Sequence, residues 1–229
     1  MKKAMILAAG RGERMRPLTD TIPKPLLEIG GKPIIVWHIE KLANAGFGEI
    51  VINIAHFGSK ITEALGDGSR WGVKLLYSDE QKEGALESAG GIVKALPLLG
   101  DEPFLVVNGD VWCDYEFDKD FKLQDGILAH LILVPNPPHN LKGDFCLKDG
   151  MVSGAGNKKF TFSGIGYYSP NLFRWLEYGK RGLGDVLREA MMFDAVSGEV
   201  YNGLWRDIGT PERLEEVNAL IGEKNGRKC

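Results

Sequence analysis

The sequence predicts an α/β fold built on a mostly parallel β-sheet, with a smaller mixed or antiparallel extension. In the first half of the chain, short apolar runs that suit buried strands alternate with segments whose apolar residues recur at helical spacing. From Ala129 onwards, strand-like runs are instead separated by a Pro-Asn-Pro-Pro segment and by glycines. The 229 residues are enough for one domain with a substantial core, so we expect a single domain at 1–222 and a polar tail at 223–229.

The first half contains four apolar runs of strand length with three helical patterns between them, each closed by a glycine or a proline. Pro33 suits the first position of the first helix, and Ser88 suits the cap of the third. The expected order is strand 4–9, helix 33–43, strand 49–54, helix 59–65, strand 73–77, helix 90–96 and strand 104–107. Because strands that alternate with helices form parallel sheets, we expect ligands at the carboxyl ends of these strands.

The second half contains shorter elements. The expected order is strands 129–134, 144–147 and 160–168, helices 171–178 and 183–192, strand 199–205 and helix 211–221. Pro211 suits the first turn of the last helix, with Thr210 as its cap. The first three of these strands have no helix between them, so we expect them to extend the parallel sheet as mixed or antiparallel neighbours.

Composition excludes several classes of function. The net charge of −3 gives no support to nucleic-acid binding, which usually requires a basic excess. The three cysteines are far apart, which argues against a disulfide framework and a zinc site and suits a reducing cytoplasm. No stretch approaches the roughly 20 apolar residues of a membrane span. We therefore expect a cytoplasmic protein without nucleic-acid or membrane partners.

A glycine turn follows the first strand. Gly10 and Gly12 lack a Cβ, so the backbone can turn sharply there and present its N–H groups to an anion. Three cations follow, Arg14, Arg16 and Lys24, and a proline on each side of Lys24 restricts the backbone that carries it. This order of strand, glycine turn and cations indicates a phosphate site. The Walker pattern is absent, and the dinucleotide fingerprint lacks its third glycine.

Two acids follow predicted strands in the same way. Asp110 ends the segment Asn-Gly-Asp, and Asp207 lies in the segment Trp-Arg-Asp-Ile-Gly-Thr-Pro. Alone, Asp110 is more typical of an ordinary turn than of a functional site. Gly10 and Asp110 both follow strands of the parallel half, so one crevice can hold both. Two carboxylates with phosphate oxygens form the hard, all-oxygen site that magnesium takes, so Mg²⁺ is the expected cofactor.

Many fixed spacings together resemble the signature of the sugar-1-phosphate nucleotidylyltransferases. The matching segments are Leu7–Thr19, Pro23–Leu26, Gly31–Pro33 and Leu86–Gly90, where Ser88 replaces the threonine of the family. The resemblance covers about residues 2–221 and implies a Rossmann-like, GT-A-like nucleotidyltransferase fold. It also implies transfer of a nucleotidyl group from a nucleoside triphosphate, with UTP favoured, to a sugar 1-phosphate, with N-acetylmuramate α-1-phosphate favoured.

The resemblance implies roles for individual residues. Asp110 and Asp207 would hold the catalytic Mg²⁺, Arg14 would contact the β- and γ-phosphates, and Lys24 would contact the α-phosphate or the sugar phosphate. The nucleotide would contact the glycine turn and two later segments, at Ala8, Ala9, Gly10, Gly12, Gln81, Glu87, Gly90 and Asn108. The sugar would contact the second half of the chain, at Gly143, Asp144 and Gly164.

Three alternatives stay open. A guanylyltransferase for mannose or heptose 1-phosphate would use the same scaffold. A catalytically silent nucleotide-sugar-binding regulatory protein is a second alternative, although the presence of Arg14, Lys24, Asp110 and Asp207 argues against it. A dinucleotide-dependent dehydrogenase is disfavoured by the missing third glycine. Tetrameric relatives often carry additional C-terminal helices that this chain has no room for, so we expect a monomer or a homodimer.

Overall fold

The computed structural model describes the backbone of residues 2–226 and the side chains of residues 2–222. The tail predicted at 223–229 is helical as far as Gly226, and residues 227–229 lie outside the described residues.

The strands form one large sheet and two short pairs. In chain order they are β1 (Lys3–Leu7), β2 (Glu28–Ile29), β3 (Lys32–Pro33), β4 (Glu49–Ile54), β5 (Lys74–Asp79), β6 (Phe104–Asn108), β7 (Val111–Cys113), β8 (Ala129–Val134), β9 (Phe145–Lys148), β10 (Met151–Ser153), β11 (Lys159–Tyr168), β12 (Val196–Val200) and β13 (Trp205–Asp207). Nine of them build the large sheet in the order β5-β4-β1-β6-β11-β8-β12-β10-β9. β2 pairs with β3, and β7 pairs with β13.

The large sheet confirms the predicted fold class. β5, β4, β1 and β6 are parallel neighbours. β11 then pairs antiparallel with β6 and β8, and β12 is parallel to β8. β10 and β9 complete the far edge as antiparallel strands. Because β6 and β11 are hydrogen-bonded neighbours, the parallel half and the mixed extension share one continuous sheet.

Helices cover both faces of this sheet. They are α1 (Ile34–Asn44), α2 (Gly58–Leu65), α3 (Glu87–Leu99), α4 (Leu183–Met191) and α5 (Pro211–Gly226). Side chains alternate along β1, so that Ala4 and Ile6 pack in one apolar cluster and Met5 in the other. α1 and α2 contribute to the first cluster, and α3 and α4 to the second. Burial of apolar surface on both faces is the main stabilising contribution that such a sheet can gain.

A third, smaller cluster joins α5 to the loop that follows β1, which we call the glycine loop. Met15 of that loop packs with Ile208 and with Leu214, Val217 and Ile221 of α5. This packing fixes the start of α5, and with it Asp207, beside the loop that follows β1. Within the described residues, none of the helices is both long enough and apolar enough to cross a bilayer.

The third predicted helix has different ends in the structure. α3 begins at Glu87 rather than at residue 90, and Ser88 does not cap it, since its Oγ accepts from the Leu183 N–H at 2.9 Å. Pro97 does not end the helix, because it lies in the last turn, where Gly100 still donates to the Leu96 carbonyl. Pro33 occupies the capping position of α1 rather than its first position.

Two predictions in the second half are wrong. The predicted helix at 171–178 is reduced to a 3-10 turn at Pro170–Leu172 and a further turn in which the Leu176 N–H donates to the Phe173 carbonyl at 3.1 Å. Tertiary contacts outweigh the helical pattern here, since Phe173 packs in the core and Arg181 pairs with Leu86. The predicted strand at 199–205 is two strands, β12 and β13, which join different sheets. For α5, Leu214 donates to the Thr210 carbonyl at 3.1 Å, which places Thr210 at its start as expected.

Candidate active site

A cavity of about 980 Å³ lies at the carboxyl ends of the parallel strands, where the sequence predicts it. β1, β4 and β6 deliver Leu7, Asn53 and Asn108 to its wall. The loop after β1, the segment after β6 and the first residues of α3 complete it. Among the residues with predicted roles, the lining includes Ala8, Ala9, Gly10, Gly12, Arg14, Lys24, Glu87, Asn108 and Asp110.

The glycine loop has the geometry that its sequence indicates. Gly12 has a φ of +66°, and a Cβ there would lie 2.9 Å from Thr19 Cγ2, so a side chain is excluded on both counts. Thr19 Oγ1 donates to the Gly12 carbonyl at 2.8 Å, which fixes the turn. A Cβ at Gly10 would meet nothing within 4 Å, so the space beside this backbone is open to a ligand. The loop therefore offers backbone N–H groups to an anion in the cavity.

Lys24 and Asp110 meet in this cavity although they are far apart in the chain. Lys24 Nζ donates to Asp110 Oδ2 at 2.6 Å, and the two side chains are 13% and 31% exposed. The segment that carries Asp110 lies against the end of β1, since Gly109 donates to the Leu7 carbonyl at 2.9 Å. A Cβ at Gly109 would lie 2.8 Å from that carbonyl oxygen, so glycine is required for this approach. Two residues with predicted catalytic roles thus form one ion pair.

Asp207 lies beside Asp110 through its backbone. β13 places Asp207 opposite Val111 of β7, and Ile208 donates to the Asp110 carbonyl at 2.7 Å. Its carboxylate accepts two bonds from Arg213 Nη1, at 2.8 and 2.7 Å, and its Oδ1 lies 2.9 Å from His139 Nε2. Asp207 does not itself line the cavity, although Gly209 does.

The two acids fit a divalent cation of the magnesium type. They provide hard oxygen donors, Asp110 from the turn just before β7 and Asp207 from β13, and phosphate oxygens of a substrate in the cavity can supply further ligands. Within the described residues, no group of three or more His, Cys, Asp or Glu side chains forms a cage. Each carboxylate is paired with cationic or imidazole groups. Metal binding would therefore require these partners to release a carboxylate oxygen.

Two predicted nucleotide contacts lie away from the main cavity. Gln81 lines a neighbouring cavity of about 250 Å³ with Arg11, His56 and Phe57, and its Nε2 donates to Asp79 Oδ2 at 3.0 Å. Gly90 faces another part of the chain, since a Cβ there would lie 2.2 Å from the Gly179 carbonyl oxygen. Gly90 is therefore required by packing, and base recognition by Gln81 stays a prediction.

The predicted sugar contacts do not line the main cavity either. Gly164 packs against the cavity residue Asn108, since a Cβ at position 164 would lie 2.6 Å from Asn108 Nδ2. Asp144 Oδ2 accepts from the Phe162 N–H at 2.8 Å and from Asn140 Nδ2 at 3.3 Å. These bonds, together with Gly143 at a φ of +63°, shape the loop at 136–144 that carries His139 to Asp207. A sugar-binding role for the three residues stays a prediction.

Sequence reasoning missed a buried polar network behind the glycine loop. Asn53 Oδ1 accepts from the Ala8 N–H at 2.8 Å, and Asn53 Nδ2 donates to Glu80 Oε1 at 2.8 Å. Glu80 Oε2 in turn accepts from the Leu86 N–H at 2.8 Å. Asn53 and Glu80 are 3% and 0% exposed. The network fixes two cavity-lining backbones to one another, and the polar Asn53 inside an apolar strand was the signal that could have revealed it.

Replacement of Asn53 by alanine is expected to lower the free energy of unfolding by about 2–4 kcal/mol and to raise KM for the nucleotide. The Ala8 N–H and one Glu80 oxygen would be left buried without a partner, which costs more than the bond itself contributes. Urea unfolding and steady-state kinetics measure the two effects. Asn157→Ala, at an exposed position, is the control. An Asn53→Ala variant as stable as this control would contradict the role of the network.

The network also predicts a pH dependence of stability. Burial raises the pKa of Glu80 above its ordinary value of 4.5, while the hydrogen bonds from Leu86 and Asn53 oppose the shift. A raised pKa in the folded state contributes stability that is fully present below pH 4.5 and is lost as the pH rises through the folded-state pKa. The unfolding free energy of wild type minus that of Glu80→Gln should therefore fall as the pH rises from about 4 to about 8.

Urea unfolding at several pH values tests this dependence. Glu102→Gln, at an exposed position, serves as the matched control and should show no such trend. A difference between wild type and Glu80→Gln that grows with pH would show that the ionised carboxylate is the stabilised form.

The fold and the cavity define a phosphate-binding α/β enzyme, with a glycine loop, cations and two acids at the carboxyl edge of a parallel sheet. Residues 3–139 match the family model described as Nucleotidyl transferase, and the chain belongs to this family. This assignment confirms the predicted reaction class and excludes the dehydrogenase alternative.

Known proteins support this assignment over the whole chain. The N-acetylmuramate alpha-1-phosphate uridylyltransferase of Neisseria meningitidis serogroup B is 56% identical, over 96% of this chain and 98% of the relative. A mannose-1-phosphate guanylyltransferase catalytic subunit beta from Danio rerio is 30% identical, over 92% of this chain and 62% of the relative. The fold is similar to a crystal structure of a putative glucose-1-phosphate thymidylyltransferase from Bacillus anthracis, with a TM-score of 0.82, 22% identity and coverage of 95% and 94% of the two chains.

Proposed function

We propose that this enzyme transfers a uridylyl group from UTP to N-acetylmuramate α-1-phosphate, forming the UDP-sugar and pyrophosphate. The observation that carries the reaction is the Lys24–Asp110 pair at 2.6 Å, in the cavity formed by the glycine loop. The choice of UTP and of N-acetylmuramate rests on the likeness to the Neisseria uridylyltransferase, which extends over 98% of that relative. The guanylyltransferase relative is less similar and only 62% of it is covered, so guanylyl transfer is the second candidate.

The proposed reaction needs no general base from the protein. A sugar 1-phosphate is an anion at neutral pH, and one of its oxygens attacks the α-phosphorus of UTP. A new bond forms between that oxygen and the α-phosphorus, while the bond from the α-phosphorus to the bridging oxygen breaks and pyrophosphate leaves with the electron pair. Catalysis must then come from alignment of the two phosphates and from neutralisation of charge.

Different residues align the phosphates and neutralise their charge. Arg14 presents a planar fork of donors, which suits the β- and γ-phosphates of the leaving group. Lys24 is a compact charge beside Asp110 and suits the oxygens around the α-phosphorus. Asp110 and Asp207 would hold Mg²⁺, which supplies further neutralisation of phosphate charge when it is bound.

The state of the enzyme in the cell is also a proposal. We expect a single-domain monomer or homodimer that acts in the cytoplasm on small-molecule substrates. The continuous nine-stranded sheet supports a single domain, and the free thiols of Cys113 and Cys146 suit a reducing compartment. Light scattering coupled to size-exclusion chromatography measures the oligomeric state.

Pyrophosphate release with Mg²⁺ tests the proposed function. UTP, GTP, dTTP and CTP are each combined with N-acetylmuramate, N-acetylglucosamine, glucose and mannose 1-phosphates. We expect the highest kcat/KM for UTP with N-acetylmuramate α-1-phosphate. A maximum at GTP with mannose 1-phosphate would instead support the guanylyltransferase. Absence of turnover in every combination would favour a nucleotide-sugar-binding regulatory protein.

A further inference from the structure

Lys180 is a cation that lines the main cavity but lies outside the glycine loop. In the described part of the chain, four lysines and arginines line the main cavity. Arg11, Arg14 and Lys24 belong to the glycine loop and the segment that follows it, where the phosphates of the substrates are expected. Lys180 comes from the segment between β11 and α4, and no sequence pattern marked it. Its charge is therefore available to a different part of the substrates.

The segment around Lys180, residues 179–183, is held firmly against the first turn of α3. The Arg181 carbonyl accepts from the N–H groups of Ala89 and Gly90, at 3.0 and 3.1 Å. The Arg181 N–H donates to the Leu86 carbonyl at 3.0 Å, and the Leu183 N–H donates to Ser88 Oγ at 2.9 Å. The close contact of Gly90 with the Gly179 carbonyl requires glycine at position 90. These bonds on both sides of Lys180 fix its backbone beside the cavity.

Glu87 is the partner of Lys180 on the same wall. It is the first residue of α3 and lines the cavity, yet its φ of +62° lies in the left-handed region that a glutamate rarely adopts. Its Oε1 lies 3.6 Å from Lys180 Nζ, and the two side chains remain 49% and 68% exposed. An ion pair this open contributes little to stability. A strained backbone that presents an exposed ion pair to a cavity is instead typical of a ligand-binding wall.

The chemistry of the proposed sugar substrate calls for such a cation. N-acetylmuramate differs from N-acetylglucosamine by a lactyl ether on the 3-oxygen, and that ether ends in a carboxylate. The carboxylate is separated from the reacting phosphorus by the sugar ring, so a cation that already neutralises the phosphates cannot also bind it directly. A site that selects a carboxylate gains most from a fixed lysine or arginine.

We infer that Lys180 binds the lactyl carboxylate of the sugar and sets the preference for a carboxylated sugar 1-phosphate. This inference rests on the proposed function. On substrate binding, Lys180 exchanges the carboxylate of Glu87 for that of the sugar, and Glu87 keeps the nucleotide contact predicted for it. Lys180 is thus a specificity residue, while the transfer itself is left to the residues beside the glycine loop.

The test compares two sugar phosphates in three variants. For Lys180→Met, Lys180→Arg and the control Lys82→Met, kcat/KM is measured with N-acetylmuramate 1-phosphate and with N-acetylglucosamine 1-phosphate at saturating UTP, and KM for UTP is measured at saturating sugar phosphate. Lys82 is exposed on the neighbouring loop and does not line the main cavity. We expect the ratio of the two kcat/KM values to fall by about 10- to 100-fold in Lys180→Met, mainly through KM for the muramate substrate. Lys180→Arg should recover part of the ratio, and Lys82→Met should keep it.

The outcomes separate this inference from the proposed function. If wild type prefers N-acetylmuramate 1-phosphate but Lys180→Met loses activity equally with both sugars, the proposed function stands and the inference fails. The same holds if KM for UTP rises instead, since Lys180 would then contact the nucleotide. If wild type does not use N-acetylmuramate 1-phosphate at all, both fail.

Discussion

Replacement of Asp110 by asparagine is expected to lower kcat by about 10³-fold while KM for UTP rises by less than about tenfold. The carboxylate is one of two proposed Mg²⁺ ligands, and it accepts the hydrogen bond from Lys24 Nζ at 2.6 Å. Asparagine keeps the shape of the side chain and one acceptor oxygen, but it removes the charge that orients Lys24 and attracts the metal. Interactions of this kind matter most when charge develops on the leaving pyrophosphate, so the loss should fall on kcat.

Two measurements separate catalysis from folding in this variant. Urea unfolding checks that Asp110→Asn remains folded, because Lys24 is only 13% exposed and would lose its partner. Asp149→Asn is the matched control, since Asp149 lies in an exposed turn at a φ of +51° that asparagine tolerates well. A folded Asp110→Asn enzyme that keeps more than about a tenth of wild-type kcat would rule out Asp110 as a metal ligand in the transition state.

The ion-pair partners of the two acids hold both carboxylates in place before a metal ion binds. Lys24 holds Asp110, while Arg213 and His139 hold Asp207. These contacts place a cation beside each of two partly buried carboxylates, and a histidine ring beside one of them. They also connect the site to distant elements. Arg213 belongs to α5, and His139 belongs to the loop at 136–144, which the hydrogen bonds of Asp144 hold in place. Changes in α5 can therefore reach the acids without touching a substrate.

Local patterns predicted the parts of the fold that depend on short stretches of chain. The strand at 129–134 lies where its apolar run indicates, and the glycine loop has the left-handed φ that Gly12 allows. The helix predicted at 171–178 failed because nothing in its own sequence shows which apolar residue will be buried. Phe173 packs in the core, and segment 179–183 forms hydrogen bonds with the first turn of α3. Both are tertiary contacts.

The same distinction applies to the site. Arg14, Lys24 and Asp110 follow strands or glycines, and chain order alone places them at one edge of the sheet. Lys180 lines the cavity only because segment 179–183 pairs with the first turn of α3, and Glu80 matters only because Asn53 joins it to Ala8. Contacts between such distant segments leave no local periodicity, and the polar Asn53 inside an apolar strand is the one local signal for either of them.

Replacement of Lys24 by methionine is expected to lower kcat by about 10²- to 10³-fold. Methionine keeps much of the length of the side chain but removes the one cation that forms an ion pair with Asp110 in the described part of the chain. Lys24→Arg should recover little of the loss, because the position is crowded: a Cβ at Gly12 would lie 3.1 Å from Lys24 Cβ, and prolines flank the residue. A guanidinium would not reach the same point as the compact ammonium.

The double variant Lys24→Met with Asp110→Asn makes this prediction specific. Because each residue orients the other, the loss in the double variant should be much smaller than the product of the two single losses. Lys148→Met, at an exposed position at the end of β9, controls for the loss of a lysine as such. Losses that multiply in full would show that Lys24 and Asp110 act independently, with Lys24 serving the phosphates alone and the ion pair contributing nothing to the arrangement of the site.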